Sequence, residues 1–327
     1  MYKQTNYIRA EKKGVSMKLK ALSHYDGDTD TKFGDCILLY NNNTLIVYDC
    51  GHNKHSETVK SFLISHPSIS QVHIVISHND ADHTNGVIDL LDYLKDNNYS
   101  TSVYSSLYLK HTKKVMELLD DDRRTKSATK EHILENFDNI AEIVEKATDY
   151  SFAVIDATVN TTVASAKVVG PTEEEFVAVV AQAIKDDSVT LIEGETVMNA
   201  ASVQLKCTLN DGEVILLCGD ASPSYLHNLD SYDIIQLPHH GKLDDAKVIF
   251  DELDDSAYRK TFLVSDNTGS AANSGGSTKL KHYMQEEQYK AALNTRDGVV
   301  ELPDDVLNGR NGIATQRRTY YGDLGSI

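Results

Sequence analysis

The chain has 327 residues, of which 40% are hydrophobic and 25% are charged, and this composition predicts a globular protein of one large domain or two. Its formal net charge of −17 disfavours non-specific binding to free DNA, because an acidic surface repels polyanions at long range. No apolar run reaches the roughly 18–20 residues of a membrane span, and residues 1–16 lack the apolar core of a signal peptide, which predicts a cytoplasmic protein without membrane contact.

In the first half of the chain, short apolar runs alternate with segments whose apolar residues have a helical spacing. After an extension at residues 1–16, a patterned run begins at Met17. The patterns then predict strands at 36–40 and 44–51, a helix at 57–65, a strand at 72–76, a helix at 86–95 and a strand at 103–109. Residues 111–147 are highly charged and predict a helical insertion with a break at 120–122.

The second half has a similar mixture of elements. It predicts strands at 152–156 and 161–169, a helix at 172–185, strands at 201–209, 214–217, 234–237 and 261–264, a helix at 278–287 and a final strand at 291–294. Two such halves favour an α/β fold in which two sheets pack as a sandwich flanked by helices. We expect a single domain at residues 17–305, followed by a tail at 306–327.

The predicted strand at 72–76 is followed directly by four metal-capable side chains, His78, Asp80, Asp82 and His83. The β-branched residues of that strand predict that it is buried and rigid, so the turn after it keeps its side chains in fixed directions. Two carboxylates so close together repel each other, and a bound cation removes this penalty. The alternative is a polar loop without a ligand.

Two later strands end in the same way. Asp220 follows the apolar run 214–217, where it could bridge two metal ions with its two oxygens or cap the following turn. His239 and His240 follow a third apolar run, and imidazole is a common ligand of divalent metals. Three strand ends therefore predict one rim of His and Asp side chains.

Three segments in this order, SHNDADHTNG, CGDAS and LPHHGK, resemble the metal-binding motifs of the metallo-β-lactamase fold. The form with aspartate at position 80 is most similar to the branch found in the DNA-uptake competence protein ComEC, and the segments FGDCILLY and LIVYDCG also resemble that branch. The similarity extends over roughly residues 18–301, without the membrane-channel parts of ComEC. It implies an αββα four-layer sandwich with two mixed β-sheets flanked by helices.

The resemblance implies a site for one or two divalent ions. Its candidate ligands are His78, Asp80, Asp82, His83, Asp220, and His239 or His240. His78 and Asp80 would bind the first ion. Asp82 and His83 would bind the second, and Asp220 would bridge the two.

The donor types of this site bear on the metal that it binds. Three carboxylates with two or three imidazoles and no thiolate form an oxygen-rich set, which favours Mn²⁺, with Zn²⁺ as the close alternative. The four cysteines have no C-x-x-C spacing and are expected to be buried, reduced thiols.

The surroundings of the ligands match the family in one respect and depart from it in another. Asp49, in the segment YDCG, resembles a family aspartate that lies beneath the site and orients ligands. Between His83 and Asp220, however, no histidine is an evident third ligand for the first ion. His111 and His132 lie in the charged insertion and are expected on the surface.

A site of this kind predicts a metal-dependent hydrolase that uses water as its nucleophile. The ComEC-like form favours a phosphodiesterase or nuclease acting on a nucleic acid or nucleotide, with Asp82 and Asp220 as catalytic residues and Asp82 orienting or deprotonating the water. One alternative is hydrolysis of another small ester, a phosphocholine-type diester or an amide. Another is a catalytically degenerate metal-binding scaffold that acts through a protein partner.

Overall fold

The computed structural model describes residues 16–24, 34–119, 126, 130, 133, 137–185, 191–192, 195–265 and 277–303. The strands are β1 (Lys18–Ala21), β2 (Ile37–Tyr40), β3 (Thr44–Tyr48), β4 (Gln71–Val75), β5 (Ser100–Ser105), β6 (Ala153–Asp156), β7 (Thr162–Val163), β8 (Ala166–Gly170), β9 (Leu191–Ile192), β10 (Glu195–Thr196), β11 (Gln204–Thr208), β12 (Val214–Leu217), β13 (Ile234–Gln236), β14 (Thr261–Val264), β15 (Leu293–Asn294) and β16 (Val300–Leu302). The α-helices are α1 (Asn53–Ser65), α2 (Ala81–Thr84), α3 (Val87–Asp96), α4 (Thr112–Leu119), α5 (Asp138–Asp149), α6 (Glu173–Lys185), α7 (Val197–Ala200), α8 (Leu243–Leu253) and α9 (Ser277–Glu286). Short 3₁₀ helices lie at Tyr108–His111, Pro223–Tyr225, Leu229–Ser231, Asp254–Arg259 and Thr295–Asp297.

The strands form two seven-stranded sheets and a two-stranded ribbon of β9 and β10. The first sheet has the order β16-β1-β2-β3-β4-β5-β6, antiparallel from β16 to β3 and parallel from β3 to β6. The second sheet has the order β15-β14-β13-β12-β11-β8-β7, parallel from β15 to β12 and antiparallel from β12 to β7. Both sheets are therefore mixed.

Alternation of side chains along the strands separates the layers of the fold. In β3, Val47 packs against the helices that cover the first sheet, whereas Ile46 packs into the core between the sheets. In β12, Leu217 joins this central core, whereas Leu216 packs on the opposite face. Helices α1, α3, α5 and α6 cover the first sheet, and α8 and α9 cover the second. The predicted αββα four-layer sandwich is confirmed.

Several helices and strands begin or end at residues other than the predicted ones. Helix α1 begins at Asn53 rather than at residue 57, because His52 caps it by accepting a hydrogen bond from Lys54 N at Nδ1 (3.1 Å). Strand β5 ends at Ser105 rather than at residue 109, because the chain then turns into a 3₁₀ helix. Strand β16 lies beyond the last predicted strand, and it forms only because β1 is available to pair with it.

Some predicted segments lie outside the described residues. These are residues 1–15 of the extension, the break at 120–122 and the tail at 306–327, so the domain bounds stay a prediction. Within the predicted insertion, α4 and α5 are helical as expected. In the part of the chain that the structure describes, no helix is long and apolar enough to cross a membrane.

The prediction that His111 lies on the surface is wrong. His111 is buried where the 3₁₀ helix meets α4, with Nδ1 2.9 Å from Glu173 Oε1 and Nε2 3.5 Å from Asp156 Oδ2. Its ring also packs edge-on against Phe176, with centroids 5.4 Å apart. These partners come from β6 and α6, far along the chain, so the local charge pattern does not reveal them. His132 lies outside the described residues.

His111 should make the stability of the fold depend on pH. The hydrogen bond to Asp156 and the nearby Glu173 carboxylate raise the pKa of His111, although burial by itself lowers it. A pKa raised by folding contributes stability below the unfolded value of about 6.5, and this contribution is lost as the pH rises through the folded pKa. We therefore expect the free energy of unfolding in urea to fall more for wild type than for His111→Gln between pH values of about 6 and about 9.

The matched control is His282→Gln, because His282 is an exposed histidine on α9. Its free energy of unfolding should follow the wild-type pH profile. Parallel profiles for wild type and His111→Gln contradict the coupling between His111 and its two carboxylates.

Candidate metal centre

Parallel pairing brings the carboxyl ends of neighbouring strands to the same edge of each sheet. In the first sheet β3 and β4 are parallel neighbours, and Asp49 and His78 follow their carboxyl ends. In the second sheet β12 and β13 are parallel neighbours, and Asp220 and His240 follow theirs. The segments after these four strands meet at one edge of the sandwich, which is where open α/β sheets form ligand sites.

Three imidazoles converge on the carboxylate of Asp220. His83 Nε2 lies 3.5 Å from Asp220 Oδ2, and His78 Nε2 lies 4.0 Å from the same oxygen. His240 Nε2 lies 3.9 Å from Asp220 Oδ2 and 3.2 Å from Asp82 Oδ2. The Asp220 side chain is buried, whereas that of Asp82 is 26% exposed. Solvent therefore reaches the cluster on the Asp82 side.

Two predicted ligands lie at the margin of this cluster. Asp80 occupies the N-cap position of α2, with Oδ2 3.7 Å from His78 Nε2 and a side chain that is 39% exposed. His239 is partly buried, and its ring centroid lies 6.1 Å from that of His240. Among the described residues, the compact groups of possible metal ligands include His240 but neither His239 nor Asp80.

The backbone conformation after β13 turns the side chains of the adjacent His239 and His240 in different directions. His239, His240 and Gly241 are all left-handed, with φ values of 51°, 53° and 79°. This conformation costs an L-residue about 1–2 kcal/mol. The planes of the two imidazoles are 77° apart, so the rings have different surroundings. Backbone strain of this kind concentrates at functional sites.

Hydrogen bonds fix the Nδ1 atoms of His83 and His78. His83 Nδ1 lies 2.8 Å from Asp49 Oδ2, and Asp49 also accepts bonds from Ser77 N (2.7 Å) and Ser77 Oγ (2.6 Å). His78 Nδ1 lies 2.9 Å from Ser77 Oγ and 3.2 Å from Ser202 Oγ. Because Ser77 Oγ donates its proton to Asp49, it accepts from His78 Nδ1. Protonated Nδ1 atoms leave Nε2 as the position that can bind a metal.

Asp35 also contacts the cluster, although the sequence does not identify it as a site residue. Asp35 is fully buried, its Oδ1 lies 3.1 Å from His240 Nδ1, and its Oδ2 accepts a bond from Gln236 Nε2 (2.9 Å). Its backbone N donates to Asp82 O (3.0 Å). The signal that could have found it is its place in FGDCILLY, one of the segments that resemble the ComEC-like branch.

Several buried nitrogen and oxygen atoms of the cluster have no hydrogen-bond partner among the described residues, which is a property of side chains that could bind a metal ion. Over the described ranges, such atoms include His78 Nε2, His83 Nε2 and Asp220 Oδ1. Each unsatisfied buried atom costs about 1–3 kcal/mol, and these three belong to residues whose ligand atoms lie within 4.8 Å of one another. Three overlapping groups have ligand atoms within 4.8 Å of one another, namely His78–His83–Asp220, Asp82–His83–His240 and Asp35–Asp220–His240. The residues therefore fit a divalent ion, which would satisfy these atoms together.

The charged groups of the cluster shift one another's pKa values. Burial by itself would raise the pKa of Asp220, but His240 and His83 hold that pKa well below its ordinary value. Burial by itself would lower the pKa of His83, but Asp220 and Asp49 raise it well above its ordinary value. Asp220 and Asp35 raise the pKa of His240 in the same way against the effect of burial. The carboxylates and imidazoles of the cluster are therefore electrostatically coupled to one another.

Comparison with known proteins yields similar solved structures only. No protein-family model and no curated protein matches the chain. The metallo-β-lactamase fold protein YhfI from Bacillus subtilis is 10% identical, with a TM-score of 0.37 over 67% of this chain and 70% of that one. Human tRNase Z, short form, is 14% identical, with a TM-score of 0.38 over 71% of this chain and 80% of that one. A Cronobacter sakazakii metallo-β-lactamase with the HARLDQ motif is 13% identical, with a TM-score of 0.34 over 82% of this chain and 83% of that one.

The fold assignment rests on the sheet order and the layers of this chain. The candidate centre rests on the distances between its own side chains.

Gly34 contacts the backbone of a candidate ligand and provides a test of the centre. Gly34 is left-handed (φ 64°), and a Cβ added there would lie 1.7 Å from Asp82 O. Gly34→Ala must therefore displace Asp82. We expect it to weaken Zn²⁺ binding by roughly tenfold or more, as measured by isothermal titration calorimetry.

Gly212→Ala is the matched control, because Gly212 is also left-handed (φ 93°) but an added Cβ would meet nothing within 4 Å. It should lower the free energy of unfolding by about 1–2 kcal/mol without changing Zn²⁺ affinity. Equal Zn²⁺ affinity in the two variants contradicts a role for the Gly34 contact.

Proposed function

We propose that this protein is a metal-dependent hydrolase. The observation that carries the proposal is the convergence of three imidazole Nε2 atoms on the buried carboxylate of Asp220. Burying charged groups costs several kcal/mol per ion, so stability alone does not favour such a cluster. Each ring is also fixed through its other nitrogen, as metal-binding histidines are.

The contacts support two metal positions that share one ligand. His78 and Asp80 would hold the first ion, and Asp82, His83 and His240 would hold the second. His78 and Asp80 lie 3.7 Å apart, and His240 Nε2 lies 3.2 Å from Asp82 Oδ2. Asp220 faces both positions and is the bridging ligand that we propose.

His240 is the better candidate of the two adjacent histidines. Its Nε2 faces Asp82 and Asp220, whereas His239 belongs to none of the compact ligand groups among the described residues. With Asp80, the set then has three carboxylates and three imidazoles. Such a set suits one or two ions of Mn²⁺ or Zn²⁺.

The substrate that we propose is a phosphodiester in a nucleic acid or nucleotide. Support comes from the resemblance of SHNDADHTNG to the ComEC-like branch and from the oxygen-rich ligand set. Ser77 and Ser202 lie beside the cluster but are engaged in fixing His78, so neither is offered as a nucleophile. The net charge of −17 favours a small or presented phosphodiester over long free DNA.

In the proposed mechanism, the role of each ligand follows from how exposed its side chain is to solvent. Divalent ions bound here would supply Lewis acidity for a phosphoryl oxygen and for water. Asp82, the partly exposed carboxylate, would accept a hydrogen bond from the attacking water and orient it. Asp220 is buried and contributes fixed negative charge. Asp49 keeps the His83 ring in place.

An activity panel on the full chain tests this proposal. The substrates are bis-p-nitrophenyl phosphate, single- and double-stranded DNA, RNA and a p-nitrophenyl carboxylic ester, each with Mn²⁺, Zn²⁺, Mg²⁺ or EDTA. We expect metal-dependent cleavage of phosphodiesters and none in EDTA. Cleavage of the carboxylic ester alone would favour a small-ester hydrolase instead. Metal binding without any cleavage would leave a scaffold and overturn the hydrolase.

Asp220→Asn removes the charge shared by both metal positions. We expect kcat on bis-p-nitrophenyl phosphate to fall roughly 10²- to 10³-fold, because several kcal/mol of charge stabilisation are lost. Circular dichroism should show that the fold is retained.

Asp233→Asn is the matched control for this substitution. Asp233 accepts a hydrogen bond from Val214 N (2.9 Å) at the amino ends of β12 and β13, the end opposite the cluster. Its kcat should equal that of wild type. Wild-type turnover in Asp220→Asn would refute the assigned site.

A further inference from the structure

The three imidazoles of the cluster differ in the groups that fix their Nδ1 atoms. A carboxylate faces His83 Nδ1 at 2.8 Å, and another faces His240 Nδ1 at 3.1 Å. Among the residues that the structure describes, the partners of His78 Nδ1 are two serine hydroxyls, at 2.9 Å and 3.2 Å. A carboxylate acceptor makes a ring a stronger metal ligand than a neutral hydroxyl does, because the hydrogen bond is charge-assisted.

We propose that Asp35 is a positioning residue that orients His240, and that it makes the position of Asp82, His83 and His240 the tighter of two metal-binding positions. This inference rests on the metal-dependent function proposed above. It adds an unequal affinity of the two positions. It assigns the cause to Asp35, which faces His240 Nδ1 and is not one of the ligands proposed for either position.

The carboxylate of Asp35 is itself anchored. Its Oδ2 accepts a bond from Gln236 Nε2 (2.9 Å), and Gln236 Oε1 accepts a bond from Cys218 N (3.0 Å). The backbone of Asp35 donates to Asp82 O and accepts from Gly51 N, both at 3.0 Å. One fully buried residue therefore links the segment before β2 to the segment after β3, to α2 and to the ends of β12 and β13.

A second acceptor competes with Asp35 for the same proton. The carbonyl oxygen of Ser265 lies 2.9 Å from His240 Nδ1, slightly closer than Asp35 Oδ1 at 3.1 Å. The carbonyl can fix the plane of the ring, but only the carboxylate adds negative charge. Asp35→Asn removes that charge and keeps the shape, so it separates the two contributions.

The other metal position lacks comparable support. His78 is fixed by hydroxyls, and Asp80 is 39% exposed and makes no side-chain capping bond to α2. Water can solvate an exposed carboxylate when its ion leaves, so such a ligand contributes less to affinity. We therefore expect wild type to bind divalent ions in two unequal steps.

Zn²⁺ titration of the metal-free full chain, with chelator competition to resolve the tight step, tests the inference. Asp35→Asn should weaken the tighter step roughly 10- to 100-fold and leave the weaker step unchanged. Asp80→Asn should weaken only the weaker step. Asp156→Asn is the matched control, because Asp156 also faces an imidazole, that of His111, at 3.5 Å, and should change neither step.

A measurement on zinc-loaded wild type keeps the inference testable if Asp35→Asn does not fold. Nitrogen-15 spectra report the Nδ1–H signal of each ring, and the three rings are assigned from the single variants His78→Gln, His83→Gln and His240→Gln. A His240 signal shifted downfield like that of His83, whose partner is Asp49, supports the role of Asp35. A His240 signal like that of His78 overturns it.

The outcomes of the titration separate this inference from the proposed function. If Asp35→Asn binds Zn²⁺ as wild type does, the Ser265 carbonyl suffices and the inference fails while the hydrolase proposal stands. Equal weakening of both steps also overturns it, because Asp35 would then act on the whole centre. If wild type binds neither Zn²⁺ nor Mn²⁺ in the same titration, the proposed function fails and the inference fails with it.

Discussion

The buried carboxylate of Asp220 is the constraint on which the surrounding structure depends. Its side chain lies where four strand ends meet and is 4% exposed. A charge removed from water to this extent needs compensation worth several kcal/mol. Three imidazoles supply it from one side, and their own partners, including Asp35 and Asp49, lie behind them. The three imidazoles thus compensate the charge of Asp220, and the carboxylates of Asp49 and Asp35 in turn position two of these imidazoles.

Strained backbone at the strand ends puts these groups in place. Asp49, His239 and His240 all have positive φ, at about 1–2 kcal/mol for each such residue. The two packed sheets offset this cost and provide a rigid support. Tyr48 Oη donates to Val203 O (2.6 Å) and joins β3 to the segment that precedes β11, next to Ser202 of the cluster. The central core between the sheets therefore fixes the positions of the ligands as well as the fold.

The acidic surface and the proposed phosphodiester substrate would be compatible only through a bound metal. A net charge of −17 repels phosphate at a distance, whereas divalent ions invert the field locally. The partly exposed carboxylates, Asp80 and Asp82, mark the side from which a substrate could approach. This arrangement favours a small or presented substrate over capture of polyanions by the surface as a whole.

The sequence by itself determined which strands end in ligand-type side chains, because alternation along a strand and the residues that follow it are local properties. It also determined the two mixed sheets with their flanking helices. Only the tertiary structure decided that Asp35 contacts His240, 205 positions further along the chain, and that His240 rather than His239 enters the cluster. It likewise decided the burial of His111 and the pairing of β16 with β1. A local pattern fixes how a side chain points from its own element, whereas its partners depend on how distant elements pack.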